Sequence, residues 1–468
     1  MNANIGPLPD AAPAEKPRER LISIPYLLLR ASTAGGAFVM GFVQTFVFAR
    51  ILDPERFSIF IVVGGIGYTL WLTDLGLAKI LFVNLRAGHI AGKPQARDRR
   101  QATAVIVFYV LLALVASLAC VAVRLSQTSA TPRDAIELGL FLLYITLNLA
   151  WFSLRSISIA VDLYLFYEKL ELVRRASTIA TMLAMLVGLP FLDFLIAANV
   201  LWCGLFIAAS AKLIRHGGLA ADIRGFPREL LSFFRLNRQS IARSGTGALG
   251  SLFIATFPYY FVPMAFGLGA APIILEVTFR IFRGACVIFA AICDLAIPGQ
   301  TRAIAARDAD KLVRTTMLAV GLCCVPAAIA CAVLIFAGQP LFVFLLHAAA
   351  TVPSGIVPIL VVLLLANILQ IVAEALLQYS GYFRSLALNG AGVSIMMVVI
   401  TAISIAAKFD IVGFLAAYAA VYTAGALCLA IAAVRGPIRA AGATNLGEQR
   451  SLSQLFKALW TAPRVLTR

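Results

Sequence analysis

Apolar residues along this chain neither alternate nor keep to one helical stripe; they come in continuous runs long enough to cross a bilayer. Bounded by charge or by glycine and proline, the runs fall near 25–48, 57–84, 102–123, 135–161, 176–192 and 194–213. After a polar stretch they resume near 242–266, 272–298, 315–337, 355–378, 386–407 and 411–434. A hydrocarbon core of ~30 Å takes about 20 apolar residues per helix. The pattern therefore predicts an all-α polytopic membrane protein of about 12 transmembrane helices. The run at 176–192 is the shortest and is closed by Pro190 and Asp193.

Composition agrees. Of the 468 residues, 61% are hydrophobic and 13% charged, where soluble domains hold about 45–50% apolar and about 25% charged residues. So few charges cannot cover so much apolar surface, and lipid must solvate most of it. The polar stretch divides the spans into two bundles of six. The expected organisation is a disordered cytoplasmic tail (1–24), an N-terminal six-helix bundle (25–213), a linker with an interfacial helix (214–241), a C-terminal six-helix bundle (242–434) and a cytoplasmic amphipathic tail (435–468). The interfacial helices are read from RELLSFFRLNR and LSQLFKALW, which set leucine and phenylalanine at helical spacing among polar residues.

Orientation follows from lysine and arginine bias. With the N-terminus inside, 29 of the 39 basic residues fall on cytoplasmic segments and 5 on external loops, which puts both termini in the cytoplasm. The net charge of +17 is thereby accounted for by topology and by anionic membrane lipid. Basic residues nowhere interleave with aromatics as a nucleic-acid surface would require, so no nucleic acid is expected. The two halves share one orientation, as in a parallel repeat. RASTAGGA from Arg30 echoes RSGTGALG from Arg243, and the second span of each half ends in Asp-Leu, at Asp74 and Asp294.

Motifs of covalent chemistry are missing. The three histidines, His89, His216 and His347, lie far apart without metal-ligand spacing, and no phosphate-binding GxxxxGK[ST] loop occurs. The eight cysteines sit in apolar runs without a CxxC pair and read as small buried hydrophobes. No catalytic residue, metal or cofactor is expected, and the chain does not read as an enzyme.

The informative residues are charges inside the spans, each of which costs roughly 2.5–3.5 kcal/mol on insertion scales. By the helical rise, Arg283 lies roughly 15 Å along the eighth span, near the midplane. Arg280 is one turn nearer the outside, and Glu276 precedes the two by four and seven residues, so all three share a face. A structural Glu276–Arg280 pair leaves Arg283 without a counter-charge, and a net positive charge at mid-membrane suits an anionic substrate. Arg30 with Asp74, and Arg243 with Asp294, are expected to form matching inner braces. Arg155 shares a helical face with Asp162, and Glu374 in the tenth span is a candidate proton or cation site.

The stretch RILDPERFSIFIVVGGIGYTLWLTDLGLAKIL, from Arg50 to Leu81, resembles the opening of polysaccharide-biosynthesis flippases of the multidrug/oligosaccharidyl-lipid/polysaccharide export superfamily. The matching positions are Arg50, Leu52, Pro54, Glu55, Phe57, Asp74 and Gly76. Asp53 and Ser58 stand where that family commonly has glycine. FRIFRGACVIFAAICDLAIPGQTRA is similar to the family's second half, where Arg280 and Pro298 fit and Arg283 is an addition.

The resemblance implies two six-helix bundles that open alternately around a central cavity. It further implies translocation of an undecaprenyl-diphosphate-type glycolipid across the bacterial inner membrane for exopolysaccharide, O-antigen or capsule synthesis, beside polysaccharide polymerase and export machinery. Arg283, Arg280, Arg30 and Arg155 would then meet the anionic headgroup. Asp74, Glu276, Asp294 and Glu374 would serve as ion-pair or coupling residues. A multidrug or cation antiporter of the same superfamily is the main alternative, but it would need an acid in the first span, which offers Arg30 instead. A membrane polymerase or ligase would need a substantial external loop, and the largest expected here is 338–354, itself mostly apolar.

Overall fold

A computed structural model of the chain describes residues 24–70, 77–90, 95–127, 131–347, 349–380 and 382–442, with some helical side chains left outside that description. Among the described residues all regular structure is helical. The first span is α1 (Ile24–Ile51) and the second predicted run divides into α2 (Pro54–Thr69) and α3 (Leu77–Ile90). Then come α4 (Ala96–Leu125), α5 (Pro132–Ala160), α6 (Tyr164–Ala184) and α7 (Phe191–Arg215). The second half holds α8 (Phe226–Phe266), α9 (Ala270–Ala305), α10 (Ala309–Leu346), α11 (Ile356–Tyr379), α12 (Phe383–Ala406) and α13 (Ile411–Ala433). A π-helical turn, Val434–Ile438, carries α13 into the short α14 (Arg439–Gly442).

Among the described residues, eight helices are long and apolar enough to cross a membrane: α1, α4, α5, α7, α10, α11, α12 and α13. The other expected spans coincide with helices that carry polar groups within their length. Glu168, Glu171, Arg174 and Arg175 lie in α6, and Glu276, Arg280, Arg283 and Asp294 in α9. In α8 the described residues Phe253–Phe266 form a shorter apolar segment.

Three expectations need correction. The fifth expected span coincides with α6, starting at Tyr164 rather than near 176, because its charged residues are helical, with Glu168, Glu171 and Arg174 buried, rather than part of a loop. It ends through a 3-10 turn, Met185–Val187, and Gly188 at φ +107°, before Pro190 opens α7. RELLSFFRLNR is not a separate interfacial helix but the first turns of α8, whose Phe233 is fully buried against the first-half helices. Glu229 and Ser232 fix it there, 3.2 Å from Arg100 and 3.1 Å from Arg97. The 338–354 connection is mostly helix, since α10 runs to Leu346 and leaves only a short link after His347 (φ +49°). The tail LSQLFKALW and the first 23 residues lie outside the described residues.

Helices α1 to α7 pack among themselves, α5 touching α2, α3, α4 and α7, while α1 leans on α6. In the other half, α11 touches α9, α10 and α13, and α12 joins α8 to α13. The halves meet where α1 and α2 face α8, α9 and α10, and where α3 and α4 meet α8. The Arg50–Phe57 stretch secures one end of this seam. Arg50 donates to the carbonyls of Phe344 (2.7 Å) and Leu345 (3.3 Å), capping the C-terminal end of α10, where a cation suits both the unpaired carbonyls and the helix dipole. Its guanidinium lies 3.5 Å from the centroid of the Phe46 ring. Asp53 N-caps α2 by accepting from Arg56 N at 2.8 Å. Ser58 Oγ accepts from the Gly269 N–H at 2.9 Å, stitching α2 to the α8–α9 turn. Thus the two positions that depart from the family pattern, Asp53 and Ser58, each make a defined contact.

Backbone packing is tightest between α8 and α12, where a Cβ on Gly250 would sit 2.6 Å from Gly390 Cα. Backbone cannot yield as a side chain can, so Gly250→Val should destabilise the protein by about 1–3 kcal/mol. Gly392→Val, which meets open space, should be nearly neutral. Thermal unfolding of the two variants in detergent checks the difference.

Candidate functional site

The charges of α9 expected near the midplane form one hydrogen-bonded unit. Glu276, 4% exposed, is bracketed from its own helix by both arginines. Arg280 Nε donates to Oε1 at 2.8 Å, and its Nη2 is paired with the same oxygen. Arg283 Nη2 donates to Oε2 at 3.0 Å. The four- and seven-residue spacings put these groups on one face. A third donor comes from α8, where Tyr259 OH reaches Oε2 at 2.5 Å and accepts from Arg283 Nη2 at 2.6 Å.

The first half supplies the rest of the site. Arg280 Nη1 donates to Gly41 O (2.8 Å) and Gln44 Oε1 (3.1 Å) of α1. Its aliphatic stem packs where a Cβ on Gly41 would be, at 3.4 Å. Tyr68 of α2 presents its ring to the Arg283 guanidinium, 4.6 Å from the centroid. Arg283 therefore has its charge shared with Glu276 and two tyrosine faces, but the cluster still holds two guanidinium groups to one carboxylate. The side chain of Arg283 stays 24% exposed, and Nη1 makes no hydrogen bond among the described residues.

Two cavities flank the cluster. One, of about 70 Å³, lies toward the first half and is lined by Gln44, Tyr68, Tyr144, Asn148, Trp202 and Arg280, among others. The other, of about 350 Å³, lies in the second half, where Arg283 joins Asn367, Gln370, Glu374, Tyr418 and Tyr422 in the lining. Glu276 and Arg280 thus border one space and Arg283 the other.

A second charged cluster, which sequence reading assigned to an inner loop, lies in α6. Glu171, 5% exposed, accepts a bidentate pair from Arg174 (2.8 and 2.9 Å), a bond from Trp151 Nε1 (2.5 Å) and an ion pair with Arg175. Arg174 lies between the rings of Trp151 (4.9 Å) and Trp202 (3.9 Å) and reaches Asn148 Oδ1 at 2.9 Å. One turn earlier, Glu168 accepts from Thr33 of α1 at 2.7 Å and sits 3.5 Å from Arg155 Nε. Spacings of three, three and one from Glu168 through Glu171 and Arg174 to Arg175 were the available signal.

Of the residues expected at the site, Arg280, Arg283 and Glu276 meet in one cluster and Glu374 borders the larger cavity. Arg155 is placed with Glu168 and not with Asp162, because α5 ends at Ala160 and Asp162 (φ +59°) turns away. Asp162 instead pairs with Arg86 (2.8 Å) and His89 (3.1 Å). Asp74 and the side chains of Arg30, Arg243 and Asp294 lie outside the description, and with them both expected braces. Tyr68, Tyr259 and Gln44 went unrecognised because such residues in apolar runs carry no spacing signal.

No family model matches the chain, and no curated protein sequence matches it. Solved structures do. An inward-facing multidrug resistance MATE family transporter of the MOP superfamily superposes with a TM-score of 0.61 at 13% identity, covering 90% of this chain and 100% of that one. The MATE multidrug transporter DinF-BH gives 0.60 at 16% identity, covering 90% and 98%. The lipid II flippase MurJ, in an inward closed conformation, gives 0.58 at 14% identity, covering 92% and 96%. At these identities the likeness is one of fold.

Glu276 is the residue whose loss should cost most. Glu276→Gln leaves two buried guanidinium groups without a counter-charge, and breaking a buried pair costs about 3–5 kcal/mol. Arg283→Ala leaves the Glu276–Arg280 pair intact and should cost less. Melting temperatures of the two purified variants should fall in that order.

Proposed function

We propose that this protein is a flippase that moves a polyprenyl-diphosphate-linked oligosaccharide across the bacterial inner membrane, its two halves opening alternately to either side. The observation that carries the reading is the α9 cluster, in which one carboxylate answers two arginines and Arg283 keeps a donor toward a large cavity. A diphosphate supplies the missing negative charge, and a guanidinium binds phosphate oxygens bidentately. The polyprenyl tail would remain in lipid, so translocation needs a polar path for the headgroup alone and no covalent step.

Topology is consistent with this. With the basic residues inside, the Arg50–Leu345 and Ser58–Gly269 contacts fall on the outer side, and the halves are joined there. The MurJ neighbour is named as a lipid II flippase, a lipid-linked cargo of the same general kind. A drug or cation exporter, which the MATE neighbours represent, would instead depend on Glu374, the carboxylate that borders the larger cavity. Glu276 suits that role less, because both its oxygens are already held by arginine or tyrosine donors.

The test is a lipid-extract comparison by mass spectrometry between cells with and without the protein. Loss should cause a polyprenyl-diphosphate oligosaccharide to accumulate and the surface glycan to disappear. Arg283→Ala should reproduce most of that accumulation with normal membrane insertion, and Arg283→Lys should restore part of the activity, since an ammonium lacks the bidentate fork. Unchanged lipids in the deletion would refute the flippase reading. Full activity of the alanine variant would refute the anion site.

A further inference from the structure

The larger cavity has a wall that the diphosphate does not explain. Although α11 is apolar enough to cross a membrane by composition, Asn367, Gln370, Glu374 and Gln378 all line this one space. Their spacings of three, four and four place them on a single face of the helix, in a row roughly 16 Å long by the helical rise. Asn367 is engaged within the protein: its Nδ2 approaches Cys286 Sγ at 3.1 Å, and its Oδ1 accepts from Tyr422 OH at 3.2 Å. Gln370 and Gln378, half-buried, have no hydrogen-bond partner among the described residues. An unpaired amide within a membrane-crossing helix is costly and is retained where it faces water or a ligand.

The other components also differ from those of a phosphate site. Tyr418 and Tyr422 of α13 border the same space, but their rings are buried against Phe279 and Phe282, and the Tyr422 hydroxyl is taken by Asn367. Arg283 stands at the Asn367 end, one helical turn from Cys286 on α9. Neutral amides that both donate and accept, set beside a carboxylate, complement the vicinal hydroxyls of a sugar. They offer little to a phosphate, which arginine already serves. A space of about 350 Å³ lies within the range of small-molecule pockets and is more than one ion needs.

We infer that the Gln370–Glu374–Gln378 row of α11 is a saccharide subsite that receives the sugars next to the diphosphate and sets glycan selectivity. The inference rests on the flippase reading, with Arg283 holding the phosphate at one end of the row. Sugars are then read by hydrogen bonds to their hydroxyls, and the amide and carboxylate positions determine which stereochemistry is accepted.

Binding to the purified full-length protein in lipid nanodiscs tests this with defined probes. These are undecaprenyl diphosphate alone and the same lipid bearing glucose, galactose or N-acetylglucosamine. At least one glycosylated lipid should bind about 10-fold more tightly than the bare diphosphate. Gln370→Leu combined with Gln378→Leu, both apolar changes of similar size that ease membrane insertion, should collapse that ratio toward one. Glu374→Gln should change the order of preference among the three sugars. Arg283→Ala should weaken all four lipids together.

Equal affinity of the wild-type protein for all four lipids would overturn the saccharide subsite while leaving the flippase reading standing. Binding of none of them would overturn both. If Glu374→Gln removed a sodium or proton dependence and left sugar preference untouched, the row would be a coupling site and the inference would fail.

Discussion

Two guanidinium groups buried beside one carboxylate set the terms for the rest of the site. Both Glu276 oxygens are occupied, one by Arg280 and the other by Tyr259 and Arg283. In a low-dielectric interior such a cluster persists only when its geometry is good and its remaining donors are satisfied. Each neighbouring element can be understood as meeting that demand. Gly41 lets α1 approach closely enough for its carbonyl to take Arg280 Nη1, Gln44 adds an acceptor one turn on, and Tyr68 brings an aromatic face to Arg283. What these partners cannot remove is the unit of positive charge left over.

The first half uses the same device with a different outcome. Glu171, like Glu276, takes two arginines and one aromatic donor, here Trp151 in place of Tyr259. Yet Arg174 is enclosed by Trp151, Trp202 and Asn148 and is only 1% exposed, so this cluster closes on itself. Between the two runs α1, with Gly36 against the Arg175 stem and Gly41 against that of Arg280. The helix touches both charged centres through positions without side chains, and it holds Glu168 through Thr33. One centre serves packing and the other remains open to a cavity, although a count of charges makes them look alike.

Much of this was legible in the sequence, for reasons that also explain what was not. Long apolar runs fix helices in lipid almost without alternatives, so the all-α architecture and most helix positions followed from hydropathy. The Glu276–Arg280–Arg283 face followed from spacing alone, because the partners lie on one helix. The fifth span was misplaced where Glu168, Glu171, Arg174 and Arg175 made a membrane helix resemble a loop, since a hydropathy window cannot see that the charges neutralise each other across α5 and α6. Partners from distant segments, such as Tyr259 for Glu276 or Gln44 for Arg280, were invisible because tertiary packing brings them together. Asp162 failed as a partner for Arg155 through a local event, the end of α5 two residues too soon.

The distribution of bonds around Arg280 and Arg283 bears on how an alternating cycle would expose charge. Glu276, Arg280 and Arg283 belong to one helix and Tyr259 to its neighbour α8, so the cluster would move as a unit with the second half. Gly41, Gln44 and Tyr68 belong to the first half. Separating α1 and α2 from α9 would break the bonds of Arg280 Nη1 and lift the Tyr68 face from Arg283, while the Glu276 bonds stay intact. The surplus charge would then have more free donors than in the closed seam, so an anion arriving at that stage would replace lost protein contacts. Closing the seam would return those donors to α1 and weaken the hold on the anion. In the proposed cycle, a cluster with one carboxylate too few, supplemented by neutral acceptors from the opposite half, would thus have an affinity tied to the position of that half, with no change in protonation required.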